Sequence, residues 1–102
     1  MSAILRRLNI MLRRRKSYRA AFLDADGNLT SHGQIVIADL ARFSRAFQST
    51  AVVSPVTRTV DTHATMLAEG RREVFNRLTY YLNLTEAQVY QIMERENERN
   101  AE

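Results

Sequence analysis

The segment Asp24-Ala25-Asp26-Gly27-Asn28 is the first place in this sequence where residue types and spacing suggest chemistry. Oxygen-bearing side chains alternate beside a glycine, as at the start of a calcium-binding loop. Such a loop needs oxygen ligands at positions 1, 3 and 5, glycine at 6 and a bidentate glutamate at 12. Counted from Asp24, position 6 is Leu29, position 12 is Ile35, and the glycine arrives two residues early. The loop lacks both its hinge and its bidentate acid, so the segment reads as Asp-Gly-Asn turn chemistry.

The other candidates for chemistry are sparse. His32 and His63 each lie near the expected start of a helix, and neither belongs to a ligand pair of the H-E-x-x-H kind. Ser31 and His32 are sequence neighbours, which do not normally face each other, and no third group is placed to orient them. There is no phosphate-binding loop and no dinucleotide fingerprint. The absence of cysteine removes disulfides, thiolate metal sites and a cysteine nucleophile. No catalytic residue, cofactor or metal ligand is assigned, and the expectation is a protein that is not an enzyme.

Charge is more informative. Arg6, Arg7, Arg13, Arg14, Arg15, Lys16 and Arg19 fall within residues 1–20 with no acid among them, so this segment carries +7 and the rest of a chain totalling +4 carries −3. All the bases except Lys16 are arginine, the side chain that forks onto carboxylate and phosphate. Seven unopposed cations repel one another unless something neutralises them. These seven are the candidate partner-binding residues, for a polyanion or an acidic protein surface.

The elements that must carry these residues are helical. One proline and three glycines in 102 residues leave few breakers. The spacing predicts a first helix from about Ser2 to Arg19, with Ile4, Leu5, Leu8, Met11 and Leu12 on one face. A second, from about Gly33 to Gln48, carries Val36, Leu40, Phe43 and Phe47, with Thr30 or Ser31 as cap. Residues 49–60, β-branched and containing Pro55, read as an extended segment or ordered loop. A third helix starts at the cap Asp61 and ends near Leu82, with Leu67, Val74, Leu78, Tyr81 and Leu82 on its inner face and Phe75 at that face's edge. Thr85-Glu86-Ala87-Gln88 is a capping box that opens a fourth, which carries Val89, Ile92 and Met93. The fold class is therefore all-α: three main helices plus a basic N-terminal helix, with one extended segment between helices two and three. The expected organisation is an arm at 1–19, a helical domain at 20–95 and a flexible acidic tail at 96–102.

Two residues of the third helix break its pattern. Gly70 costs about 1 kcal/mol relative to alanine in a helix interior, which calls for a packing reason. Arg71 falls where an apolar residue is expected, and a desolvated guanidinium needs a partner. Asp39 on the second helix is the expected partner, in an architectural ion pair. A helix-turn-helix reading of residues 84–92 fails, because only nine acid-rich residues follow Met93 where a recognition helix should stand. No apolar run is long enough to span a membrane, and Arg6 and Arg7 interrupt what would be a signal peptide's apolar stretch.

Several motifs in order resemble one family. Tyr18 and Phe22, then Asp26-Gly27, then IADLARF from Ile37 to Phe43, then EGRR from Glu69 to Arg72, followed by Leu78 and Leu82, are similar to a family of small bacteriophage proteins named after a Bordetella phage gene product. The resemblance covers about residues 17–93. The region Thr30 to Gln34 departs from it by what read as extra residues, and the arm lies outside it. The resemblance implies a minor virion component that docks on larger phage structural proteins of the portal, tail or internal ejection assembly. It implies an oligomer within the particle, possible contact with packaged DNA, and residence in the virion, or in the host cytoplasm before assembly. Some relatives carry a peptidase label, which no nucleophile–base pair or metal set here supports. Two alternatives to a structural protein are a nucleic-acid-binding accessory protein of phage assembly and a small phage peptidase.

Overall fold

The computed structural model describes residues 2–101. Among them are four helices, α1 (Ala3–Phe22), α2 (Ser31–Phe43), α3 (Thr62–Leu82) and α4 (Glu86–Ala101), and the chain is all-α. The only extended pairings among the described residues are the isolated bridges Leu23–Leu29 and Val53–Val60.

Local chemistry sets each boundary. The Ser2 hydroxyl accepts from the Leu5 amide, Thr30 Oγ1 from Gly33 and Asp61 Oδ1 from Ala64, each satisfying a first-turn donor. At α4 the capping box closes reciprocally. The Thr85 amide donates to Gln88 Oε1 at 2.8 Å and the Gln88 amide to Thr85 Oγ1 at 3.2 Å. Helix α3 stops at Asn83, which adopts the left-handed conformation, and the Leu84 amide returns to the Thr79 carbonyl at 3.0 Å. Residues 49–60 form the expected ordered loop, tied to α3 by the Val52 amide donating to Thr65 Oγ1.

Helix α2 packs chiefly on α4, and α1 chiefly on α3. The core is Ile37, Ala38, Ala41, Phe75, Leu78, Leu82, Val89 and Ile92, with Tyr18, Phe22, Leu84 and Met93 partly buried against it. The expected stripe of α2 is displaced by about one residue, and that of α3 holds at Leu78, Tyr81 and Leu82 but not in its N-terminal half. On α2 the buried side is Gly33, Ile37, Ala38 and Ala41, while Val36 and Phe43 are exposed. On α3 it is Ala68, Phe75, Leu78, Tyr81 and Leu82, while Leu67 and Val74 are 63% and 70% exposed. The alanines at 38, 41 and 68 share these contacts with larger residues such as Ile37, Phe75 and Leu78, and let neighbouring backbones approach closely. Helix α2 also ends earlier than expected, at Phe43, because Arg45 turns left-handed at φ 55°.

Two further boundaries differ from expectation. Helix α1 runs unbroken across residues 19 and 20, so the arm and the body share one helix. The predicted flexible tail is helical through Ala101: Glu96 is buried, and Asn97 Oδ1 accepts from Arg42 at 2.9 Å.

The result is a plate of 55 × 44 × 18 Å with a radius of gyration of 17.0 Å, against about 13 Å for a compact chain of this length. It exposes 7932 Å² of surface, where a compact monomer of 11.8 kDa would expose about 5,900 Å².

Candidate docking surface

The seven bases of the first twenty residues lie along α1, which buries none of its side chains completely. Arg19 is half-buried; Arg6, Arg7, Arg13, Arg14, Arg15 and Lys16 are exposed. None has a carboxylate partner: the single ion pair among the described residues is Arg99–Glu96 at 3.2 Å on α4. The charge therefore has no ion-pair partner among the described residues.

The apolar side chains before and between those bases are also uncovered. Ile4 is 79% exposed, and Leu5, Leu8, Met11 and Leu12 remain close to half exposed. The half-buried residues of α1 all lie toward its C-terminal end. There the Tyr18 ring stacks on Tyr81, with centroids 4.5 Å apart and planes 11° from parallel. Phe22 follows, its carbonyl accepting from the Thr30 amide at 3.0 Å. Helix α2 starts so close to this point that a Cβ on Gly33 would lie 2.9 Å from the Phe22 oxygen.

Between α1, α2 and α4 lies a cleft of about 460 Å³, with Arg19 and Arg95 among its lining residues. Arg95 was not anticipated, because it is the last residue of the expected domain, next to the acidic tail and beyond the last large apolar residue Met93. Its signal in the sequence was its place one turn after Gln91, on the face beside Ile92.

The proposed Asp39–Arg71 pair does not form. Both side chains are exposed, and Arg71 lies over the Phe43 ring, 4.5 Å from its centroid. The arginine that turns inward is its neighbour Arg72, which donates to the Ser44 carbonyl at 3.3 Å and to the carbonyls of Arg45 and Gln48. A helix end supplies three converging carbonyls, and a guanidinium needs no buried carboxylate where they are available. The expected packing reason for Gly70 is not seen: a Cβ there would meet nothing within 4 Å among the described residues outside its own helix backbone.

The remaining candidates resolve locally. Asp24 Oδ1 accepts from the amides of Asp26 at 2.9 Å and Asn28 at 3.0 Å, and Gly27 sits at φ 81°. This is an Asx-type turn, in which that oxygen serves the backbone. His32 and His63 are exposed in the first turns of α2 and α3. Among the described residues, no group of three or more His, Asp or Glu is placed to hold a metal ion. No described helix is long and apolar enough to cross a membrane.

Fold and surface together define a small, flat, all-α chain that carries an exposed cationic helix. Its sequence from Tyr18 to Glu94 matches the family model of Bbp19-like phage proteins, and the chain belongs to that family. No curated protein and no solved structure gives a significant match. The matched region includes the two motif segments that meet in space, IADLARF on α2 and EGRR on α3, through Arg71 on Phe43 and Arg72 on the carbonyls just beyond α2.

Proposed function

We propose that this phage protein is a non-enzymatic structural component of the particle, one that docks on a larger phage protein through α1 and the faces of its plate. The observation that carries this reading is the excess of surface. The chain's 7932 Å² exceeds the compact expectation by roughly 2,000 Å², about what one partner contributes to a large, permanent interface. Phe43, Leu67 and Val74 and the apolar stripe of α1 supply exposed apolar area of the kind such interfaces cover.

The character of α1 favours an acidic protein groove over nucleic acid. Phosphate contacts need cations but no apolar stripe. Here Ile4 and Leu5 precede the bases and Leu8, Met11 and Leu12 lie between them, so a groove with acidic walls and an apolar floor matches both features. Mass spectrometry of purified particles, with copy-number estimation, tests the assignment. Stoichiometric recovery at a fixed ratio to a larger structural protein is expected. Recovery only from the infected-cell lysate would overturn it.

A further inference from the structure

The cleft between α1, α2 and α4 combines features that a gap between helices does not ordinarily have. Arg19 reaches it from α1 and Arg95 from α4, and no acidic side chain lines it. Neither guanidinium has an ion-pair or hydrogen-bond partner among the described residues. The walls between them carry carboxamides, Gln34 from α2 and Gln88 and Gln91 from α4. Gln88 Oε1 is engaged by the Thr85 amide, while the side chains of Gln34 and Gln91 make no such contact. Leu23 and Leu82 add apolar surface to the same lining.

We infer that this cleft is a binding site for an extended acidic peptide segment supplied by the protein on which the chain docks. The inference rests on the docking role proposed above and names its second point of grip. Three features select that occupant. Two guanidiniums without an internal carboxylate call for anionic groups, and arginine forks onto carboxylates bidentately. Carboxamides both donate and accept, which suits the alternating N–H and C=O of an extended peptide, whereas a phosphate backbone offers acceptors only. The leucines suit the apolar side chains that alternate with acidic ones along an extended strand. A volume of about 460 Å³ lies within the range of ligand clefts and admits a short stretch of peptide.

The probe is a short synthetic peptide of alternating glutamate and leucine, titrated into the isotope-labelled full chain and followed by NMR. Saturable shifts are expected at the Gly27 and Asn83 backbone amides and at the Gln34 and Gln91 side-chain amides. Arg95→Gln should weaken binding about tenfold, the loss of a charge-assisted contact, with an unchanged melting temperature because that guanidinium holds nothing in the fold. The same peptide with glutamine for glutamate should bind at least as weakly. The inference fails if the glutamine peptide binds equally well, if shifts track only residues 4–16, or if single-stranded DNA fills the cleft more tightly than the acidic peptide. Arg95 lies outside the α1 bases, so loss of cleft binding with intact particle incorporation would sink this inference alone. Absence from particles would instead remove the docking role.

Discussion

The rings of Tyr18 and Tyr81 stack at 4.5 Å, and this contact marks where the cationic helix stops being an arm and becomes part of the body. Arg77 approaches the same Tyr81 ring, 5.4 Å from its centroid, and Tyr80 meets it edge-on. Tyr81 is 7% exposed and is already fixed by α3, so Tyr18 docks on a prepared surface. Tyr18→Ala should cost about 2 kcal/mol, for a half-buried aromatic that loses both its area and its stacking partner. Hydrogen exchange is the discriminating measurement. Protection should fall along α1 and remain on α2 and α4, whose mutual contact does not involve Tyr18. Uniform loss of protection would mean that α1 is integral to the core.

The two adjacent arginines of the EGRR motif invite opposite expectations. Arg72 holds three carbonyls at a chain reversal where Arg45 occupies a left-handed conformation. Arg72→Met keeps the stem and removes the donors, and should lower stability by about 2 kcal/mol. Arg71 makes an exposed cation–π contact with Phe43, worth about 0.5–1 kcal/mol. Arg71→Leu should therefore shift chemical denaturation little. Equal losses in the two variants would contradict the division of labour between them.

Much of this architecture was legible from local signals, and what was missed shares one cause. Thr30, Asp61 and the Thr85–Gln88 box announced their helices because capping is decided by residues within one turn. The loop at 49–60 followed from Pro55 and its β-branched neighbours. The inner face of α2, and that of α3 at Leu67 and Val74 though not at Leu78, Tyr81 and Leu82, was misread by one residue because hydrophobic size was taken for burial. Alanines at 38, 41 and 68 are buried, while Phe43, Leu67 and Val74 are not. On a chain that leaves large apolar residues for a partner, the most hydrophobic stripe need not be the core stripe. Arg71 was chosen over Arg72 for the same reason, since the inward direction had been set by Leu67 and Val74. The tail was expected to fray because it shows no apolar stripe, yet Glu96 buries there with Arg99 beside it, a pattern that periodicity does not register.

The glycines separate packing demand from its absence. A Cβ on Gly33 would lie 2.9 Å from the Phe22 carbonyl and 3.0 Å from Thr30 Oγ1, so Gly33→Ala forces the α1–α2 junction apart. A cost of about 1–3 kcal/mol is expected, read as a lowered denaturation midpoint. Gly70→Ala meets open space and should raise stability by up to about 1 kcal/mol through helix propensity. Gly70 also lies beside exposed Met66, Leu67 and Val74. If a partner approaches that face closely, the more stable Gly70→Ala chain should enter particles less well. Improved stability with undiminished incorporation would show that this face of α3 stays free.

The N-terminal half of α1 can be removed without touching the core, which makes its role separable from folding. None of the described side chains before Tyr18 is buried or half-buried, and the Tyr18–Tyr81 stack lies beyond the first ten residues. Deleting residues 2–10 should leave the melting temperature within a few degrees of the full chain while removing Arg6, Arg7 and the most exposed apolar residues. If α1 seats in an acidic protein groove, the deletion should abolish particle incorporation, and the full chain should bind duplex DNA only weakly. Were all seven bases to engage phosphate instead, log K would fall against log salt with a slope of about −6. A slope that steep, with duplex affinity lost on deletion, would assign α1 to nucleic acid. A shallow slope joined to loss of incorporation would assign it to protein, because only that partner makes use of the leucines and isoleucine set between the arginines.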